Sequence, residues 1–174
     1  LTLIQMDVHV NDVEYNYNHV QELLTQSLSE SPDIIVLPET WNTGFYPSTD
    51  LINIADNNGD RTKALLSAFA KEHNVNIVGG SVAVAKDNLV FNTSYVYNRN
   101  GELVGEYSKM HGFSPAKEDK YFASGTHTTH FELDGIPCST VICYDIRFPE
   151  LVRMAALPGT ELLFVPAQWP TMRL

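Results

Sequence analysis

A cysteine that ends an apolar run is the residue of this chain best placed for covalent chemistry. Cys143 follows Val141-Ile142, and Pro149-Glu150 begin a predicted helix. Proline suits a first helical turn, because the N–H that it lacks would be unpaired there anyway. A thiol near a helix start meets exposed N–H groups and the positive end of the helix dipole, which favour the nucleophilic thiolate. The position therefore makes Cys143 a candidate for covalent catalysis, although a buried structural residue is the commonest role of a free cysteine.

Two further reactive side chains also follow apolar strands. Glu39 comes just after the run 33–37, and Lys109 follows a strand expected over 103–107. Ligands gather at the carboxyl ends of strands in α/β sheets, so these two groups and Cys143 could converge. The alternatives are a loop salt bridge for Glu39 and a solvated surface amine for Lys109.

Hydrophobic spacing and turn signals predict the elements that must position these groups, in the order β-α-β-α-β-β-β-β-β-α-β. Asn11 with Glu14 three residues later is expected to cap the first helix, and Asp60 the second. Helices are expected over 13–29, from about 60 onward and over 149–157, and strands over 1–6, 33–37, 76–84, 92–97, 103–107, 130–133, 136–142 and 161–165. Helices separated by buried strands predict a layered α/β protein with a mixed sheet.

Length and composition limit the classes of protein to which the chain can belong. Its 174 residues, 44% hydrophobic and 18% charged, suit one globular domain over 1–174. The net charge of −10 repels phosphate groups, so nucleic acid and anionic membrane are not expected partners.

The two cysteines predict free thiols. Cys138 and Cys143 lie five residues apart in one extended run, a span of roughly 16 Å. A disulfide needs Cα atoms within about 7 Å of each other. Free thiols, with no recognisable signal peptide, lipidation motif or long apolar span, predict a cytoplasmic location.

Both ends of the chain are expected to be truncated, mainly the C-terminal end. Leu1 is not an initiator methionine and already lies in an apolar run, and Leu174 comes soon after a predicted strand without a closing helix.

Three segments in order resemble the nitrilase superfamily of carbon-nitrogen hydrolases. Further matches are Asn92-Thr93-Ser94 and Pro166-Ala167-Gln168-Trp169-Pro170, so the resemblance covers essentially the whole chain. The three segments are Leu37-Pro38-Glu39-Thr40, Tyr107-Ser108-Lys109-Met110-His111 and Ile142-Cys143-Tyr144-Asp145-Ile146-Arg147-Phe148-Pro149-Glu150.

The resemblance implies a four-layer α-β-β-α sandwich with mixed sheets and a Glu–Lys–Cys triad of Glu39, Lys109 and Cys143. Family members carry further strands and helices beyond the end of this chain. The resemblance also implies a second acid in the site, placed at Glu118, although the neighbouring Asp119 could take that role and either residue could be a solvated loop charge.

Amide cleavage needs a nucleophile, a proton shuttle and a cation for the developing oxyanion. We expect Glu39 to take the thiol proton and Cys143 to attack the amide carbon. Lys109 and the backbone N–H of Tyr144 would hold the oxyanion. An adjacent ammonium should also lower the pKa of the thiol.

The segment that begins at Cys143 is most similar to the ω-amidase branch, which implies small acids with a terminal amide, such as 2-oxoglutaramate or 2-oxosuccinamate. Arg147 could bind the substrate carboxylate, or it could form an ion pair with a neighbouring acid. Tyr46, Phe113 and Trp169 could line the pocket or simply pack in the core. The resemblance also implies a homodimer or higher homo-oligomer.

Several other functions remain open at this point. The chain could be another amidase of the superfamily, of the N-carbamoyl or deaminated-glutathione type, or a non-catalytic binding protein on the same fold. His111 could serve Cys143 in a Cys–His hydrolase. His127 and His130 have a spacing that suggests a metal, but zinc sites need more ligands. No cofactor is expected, because no phosphate-binding loop follows Gly79-Gly80.

Overall fold

The computed structural model of the chain describes residues 1–45 and 50–169. Its helices are α1 (Val13–Ser27), α2 (Leu51–Ile54), α3 (Asp60–His73) and α4 (Pro149–Ala156). Its strands are β1 (Thr2–Leu3), β2 (Ile34–Val36), β3 (Asp56–Asn57), β4 (Asn76–Val78), β5 (Val82–Lys86), β6 (Leu89–Tyr97), β7 (Leu103–Ser108), β8 (Thr129–Leu133), β9 (Ile136–Thr140) and β10 (Leu162–Phe164). The predicted order holds, with α2 and β3 added and the strand over 76–84 divided in two.

The strands of this part of the chain form two mixed sheets. In the first sheet, β2 lies parallel to β1 and β4, and β6 runs antiparallel to β4, β5 and β7. In the second sheet, β9 lies parallel to β10 and antiparallel to β8. Parallel neighbours such as β1 and β2 are joined through a helix, whereas the antiparallel neighbours β6 and β7 need only a short turn.

The two sheets pack face to face through apolar side chains that are nearly all buried. Val36 and Val78 of the first sheet meet Phe131 and Phe164 of the second. Side chains of a strand alternate between its two faces, so the neighbours Ile35 and Leu37 point the other way, toward the helices.

Helices cover both outer faces of this sandwich. Tyr17 and Leu24 of α1 and Leu66 of α3 pack on the first sheet, and Leu151 and Ala155 of α4 pack beside the second. The resulting layer order, α-β-β-α, confirms the fold predicted from the sequence. Within the described residues, none of the helices has both the length and the apolar character needed to cross a bilayer.

The caps of the first two long helices differ from the prediction. Asn11 has a φ of 63° and cannot act as the N-cap; Asp12 takes that place and accepts a hydrogen bond from the N–H of Tyr15 at 3.1 Å. At α3, Asp60 is already the first helical residue. Asp56, four residues earlier, accepts from the N–H groups at the helix start instead. Asp12 and Asp56 are both of the residue type that commonly caps helices. The backbone conformation decides which polar side chain can reach the free N–H groups at the helix start.

A bulge at Gly79–Ser81 divides the strand that was predicted over 76–84. β4 and β5 pair with consecutive stretches of β6, and the register shifts by one residue between them. Gly80 has a φ of 62°, a left-handed conformation that glycine adopts without strain.

The bulge holds the segment that follows β2. Ser81 donates its N–H to the carbonyl of Pro38, and its own hydroxyl and carbonyl accept the N–H groups of Thr40 and Trp41. The indole N–H of Trp41 donates to the carbonyl of Gly79 at 3.0 Å. The residue between Pro38 and Thr40 is Glu39, so the bulge fixes the backbone that carries this acid.

Replacement of Gly80 by alanine should therefore destabilise the protein and distort the segment around Glu39. The new Cβ would collide with the carbonyl oxygen of Pro38. Strain and collision together should lower the free energy of unfolding by about 3 kcal/mol. Gly135→Ala is the matched control, because Gly135 has a φ of 81° but nothing within 4 Å of the added Cβ, so it should lose only about 1 kcal/mol. Urea denaturation would measure both losses, and equal losses would contradict the role of the bulge.

Candidate active site

The ammonium of Lys109, directly after β7, is the centre of a buried charge cluster. Its Nζ lies 2.7 Å from Glu39 Oε1 and 2.7 Å from Glu118 Oε2. All three residues are buried, and Glu39 is fully so. Charges this deeply buried are retained when they are paired and hydrogen-bonded, as they are here.

Glu39 is held from several directions. Its Oε1 also accepts from the side-chain amide of Asn92 at 3.2 Å, and its Oε2 accepts the backbone N–H of Gln168 at 3.0 Å. Asn92 lies on β6 and Gln168 lies beyond β10, so segments from both sheets meet at one carboxylate.

Glu118 completes the cluster at a short helical turn. It accepts from the side-chain amide of Asn92 at 3.0 Å and from the backbone N–H of Phe113 at 2.7 Å. The neighbouring Asp119 is exposed. The structure thus brings Glu118, rather than Asp119, to Lys109.

Burial and charge act in opposite directions on this cluster. Burial raises the pKa of the Glu39 carboxyl; Lys109 opposes this effect and the charge of Glu118 adds to it, so the pKa stays above its usual value. Burial lowers the pKa of the Lys109 ammonium, but the two carboxylates raise it by more, so the amine remains charged. A carboxyl with a raised pKa is suited to exchange protons near neutral pH.

Cys143 lies at a strained elbow beside Glu39. Its φ is 45°, a left-handed conformation that is uncommon for a residue with a Cβ. The backbone N–H of Cys143 donates to the carbonyl of Pro166 at 2.9 Å, and a short helical turn runs on from Cys143 to Arg147. Cys143 is 5% exposed, and its thiol is near enough to the Glu39 carboxylate for that charge to act on its pKa. The structure therefore brings Glu39, Lys109 and Cys143 together.

Several effects set the pKa of the Cys143 thiol. Lys109 lowers this pKa, in the direction expected from the sequence, but burial and the charge of Glu39 raise it by more. The net shift is therefore upward, which the effects weighed in the sequence analysis did not predict. The resting group is a neutral thiol, which needs a base before it can attack.

The backbone N–H of Tyr144 is available to an oxyanion. Within residues 1–45 and 50–169, no acceptor pairs with this N–H. It follows Cys143 directly in the turn, a position from which a backbone N–H can donate to an oxyanion.

Of the residues predicted to line the pocket or bind substrate, Phe113 lies beside the Cys143 turn, whereas Arg147 lies at the surface with Trp169. Phe113 is buried, and its ring centroid lies 5.0 Å from that of Tyr144, next to the nucleophile. Arg147 is exposed, forms no ion pair with the described acids, and lies over the ring of Trp169 at 5.9 Å. The alternative of an ion pair for Arg147 is thus not found in this part of the chain. Tyr46 lies outside the described residues.

The other candidate chemistries have no matching geometry. His111 Nδ1 lies 3.0 Å from Asp145 Oδ1, and its ring stacks on Phe148, so the described contacts of His111 do not include the thiol. His127 and His130 are exposed. Across the described residues no three His, Cys, Asp or Glu side chains are close enough together to hold a metal ion.

A cavity of about 480 Å³ lies on the opposite face of the first sheet. Thr93 and Tyr95 line this cavity, whereas Asn92 between them points to Lys109. We place the candidate site at the buried cluster, because the cavity holds none of Glu39, Lys109 and Cys143.

Three residues of the site were missed as functional residues by the sequence analysis. Asn92 and Gln168 were noted only as matches to family motifs, and Asp145 only as part of the segment after Cys143. Their roles depend on hydrogen bonds between residues far apart in the chain, which local patterns do not reveal.

Comparison with known proteins places this geometry in context. A family model described as carbon-nitrogen hydrolase matches residues 1–173. The 2-oxoglutaramate amidase of Bacillus subtilis (strain 168) is 39% identical over 174 residues, which is 100% of this chain and 66% of the relative. The chloroplastic omega-amidase of Arabidopsis thaliana is 31% identical over 94% of this chain and 47% of its own length. The chain thus spans less than two thirds of the length of these relatives.

A solved amidase from Nesterenkonia sp. has the same fold. It is 23% identical, with a TM-score of 0.82 over 95% of this chain and 63% of that one. A glutamate-to-glutamine mutant of this amidase, 22% identical to the present chain, carries the acetamide moiety of fluoroacetamide covalently added at the active site cysteine.

The raised pKa of Cys143 should be visible in its alkylation by iodoacetamide. The rate should climb with pH and reach no plateau by about pH 8.5, the usual thiol pKa. Glu39→Gln removes the negative charge that raises the pKa of the thiol, so the midpoint of the pH profile should move down. Mass spectrometry of the alkylated protein measures both rates, and Cys143→Ala reports the background from the buried Cys138. A parent profile that levels off below about pH 8 would show a resting thiolate instead.

Proposed function

Because this chain belongs to the carbon-nitrogen hydrolase family, we propose that it hydrolyses the carbon-nitrogen bond of a small amide and releases ammonia through a cysteine thioester. One observation carries the proposal: a buried ammonium lies between two carboxylates, and a buried thiol at a strained turn lies near one of those carboxylates. A nucleophile, a proton shuttle and a fixed positive charge are the groups that acyl transfer from an amide requires.

In the first half of the reaction, Glu39 takes the proton of the Cys143 thiol as the sulfur attacks the amide carbon. The carbonyl electron pair moves to oxygen, where the ammonium of Lys109 and the N–H of Tyr144 stabilise the charge. The protonated Glu39 then gives its proton to the amide nitrogen, the carbon-nitrogen bond breaks, and ammonia leaves. The acyl group remains on sulfur as a thioester.

In the second half, water replaces ammonia in the same place. Glu39, again a carboxylate, takes a proton from water as the oxygen attacks the thioester carbon. Collapse of the second tetrahedral intermediate breaks the carbon-sulfur bond, and the proton on Glu39 returns to the sulfur. The carboxylic acid product leaves, and the resting thiol of Cys143 is restored.

Glu118 has a supporting role in this scheme. Its Oε1 and Oε2 lie 3.0 and 2.7 Å from Lys109 Nζ, so it fixes the direction of the ammonium. Its negative charge also keeps Lys109 protonated. Glu39 can then gain and lose a proton while Lys109 stays a cation throughout the cycle.

For the substrate we propose a monoamide of a small dicarboxylic acid, such as 2-oxoglutaramate. The exposed guanidinium of Arg147, without an acidic partner among the described residues, could pair with the carboxylate at the far end of such a molecule. The name of the Bacillus subtilis relative and that of the plant omega-amidase support this class. Phe113, Trp169 and Tyr46 are the proposed lining residues.

Other amidases of the superfamily, of the N-carbamoyl or deaminated-glutathione type, are the second candidates, because the cluster around Lys109 would serve any of them. A binding protein without activity is disfavoured, since a lost activity would not require all three reactive groups. One domain over 1–174, a cytoplasmic location and a homodimer or higher homo-oligomer also stay proposals. The free thiols of Cys138 and Cys143 support the location, and the family resemblance supports the assembly.

Replacement of the nucleophile should abolish ammonia release while the fold is retained. Cys143→Ala should lower turnover of 2-oxoglutaramate by about 10⁴-fold or more, as expected when a covalent nucleophile is removed. Cys138→Ala is the matched control: this second buried cysteine lies on β9 in the core between the sheets and should leave turnover within about threefold of the parent. An ammonia assay with circular dichroism as a check of folding makes the comparison. Turnover that survives in Cys143→Ala would rule out the thioester.

Arg147→Gln should weaken the binding of substrates that carry a carboxylate. We expect KM for 2-oxoglutaramate to rise by about 10- to 100-fold, the value of a charge-assisted hydrogen bond, with a smaller effect on kcat. A neutral amide of similar length should be affected little. Arg153→Gln, an exposed arginine on α4, is the control for the loss of a positive charge. Equal effects of Arg147→Gln on the charged and the neutral amide would contradict the assignment.

A further inference from the structure

The fully buried carboxylate of Asp145 has no part in the proposed chemistry, yet it accepts four hydrogen bonds. Oδ1 accepts from the backbone N–H of His111 at 2.9 Å and lies 3.0 Å from Nδ1 of the same residue. Oδ2 accepts from the hydroxyl of Tyr107 at 2.7 Å and from the backbone N–H of Ile142 at 3.1 Å. A buried carboxylate with this many donors is a fixed point of the interior.

These donors lie on the two segments that carry the amine and the thiol. Tyr107 and His111 stand two residues before and two residues after Lys109, and Ile142 directly precedes Cys143. One carboxylate therefore ties the end of β7 to the turn that presents the nucleophile. The ring of His111 also stacks on that of Phe148, with 3.6 Å between the ring centroids. Phe148 follows the Cys143 turn, so this contact joins the segment after Lys109 to the far end of the turn.

The turn needs such a constraint, because a residue with a Cβ at a φ of 45° is strained and keeps that conformation only when its surroundings enforce it. Two successive N–H groups are fixed here. That of Ile142 is held by Asp145, and that of Cys143 by the carbonyl of Pro166. The peptide groups on both sides of Ile142 are thereby held, and with them the direction of the thiol.

We propose that Asp145 is a positioning residue, which holds the Cys143 turn in register with Lys109 and Glu39 through the hydrogen bonds of Tyr107, His111 and Ile142. The proposal rests on the function proposed above for the same site. Asp145 acts through these hydrogen bonds, and the thiol is not among its hydrogen-bond partners in the described part of the chain.

Asp145→Asn tests this proposal with a side chain of the same shape. One carboxylate oxygen becomes an NH₂ group, which the Tyr107 hydroxyl can accept but the N–H of Ile142 cannot. A misplacement of the thiol by about 1 Å should lower kcat by about 100-fold, with KM changed less than about threefold. Asp134→Asn is the matched control, because the side chain of Asp134 pairs with Arg99 and Asn76 and its replacement should leave kcat as in the parent.

Alkylation of Cys143 by iodoacetamide gives a second measurement that does not depend on the amide substrate. The charged groups around the thiol are Glu39, Lys109 and Glu118. A thiol that moves away from Glu39 loses the charge that raises its pKa, so the midpoint of the alkylation profile should fall in Asp145→Asn. A merely structural loss would lower kcat without this shift.

Folded Asp145→Asn with kcat within threefold of the parent, or with an unchanged alkylation midpoint, would overturn the proposal. Should this variant fail to fold, His111→Phe decides in its place, because it keeps the stacking on Phe148 and removes only the ring hydrogen bond. A smaller kcat loss of about fivefold with a downward shift of the midpoint supports the proposal, and parent behaviour in both measurements overturns it. If the parent chain hydrolyses no amide, the proposed function fails, and the alkylation midpoints still decide the role of Asp145.

Discussion

The site depends on one ammonium buried with two carboxylates. Lys109, Glu39 and Glu118 come from separate segments, and each would be costly to bury without the others. Loss of one partner from such a group typically costs about 3–5 kcal/mol, because the remaining charge is left uncompensated. This cost makes the native arrangement of the strand ends much more favourable than one that separates the charges. The bulge at Gly79–Ser81 and the amide of Asn92 serve the same arrangement by holding Glu39 and Glu118 in place.

The fold and the reactive groups were largely predictable, because both follow from local patterns. The spacing of Tyr17, Val20 and Leu24 predicts a buried helical face, and the apolar run 33–37 predicts the strand that delivers Glu39. Details that depend on exact backbone angles were not predictable. The positive φ of Asn11 moved the first cap to Asp12, and a one-residue shift on β6 interrupted the expected strand at Gly80. Long-range hydrogen bonds such as that of Gln168 leave no local signal at all.

The pKa of the Cys143 thiol shows which effect dominates at this residue. A start of a helical turn and a nearby ammonium both favour thiolate, and both are present. Burial and the adjacent Glu39 carboxylate outweigh them. Sequence patterns show which charges are near one another, but they do not show how much solvent is excluded from the group between them. Because the pKa values of the Cys143 thiol and the Glu39 carboxyl are both raised, the two groups titrate as a coupled pair.

The hydrogen bond between Glu39 and the backbone of Gln168 joins positions 129 residues apart in the chain. Contacts of such high sequence separation form late, after the loop between them has been closed. The carboxylate beside the sulfur is therefore locked only after the segment beyond β10 has docked against the first sheet. Assembly of the reactive centre is in this way coupled to the joining of the two sheets.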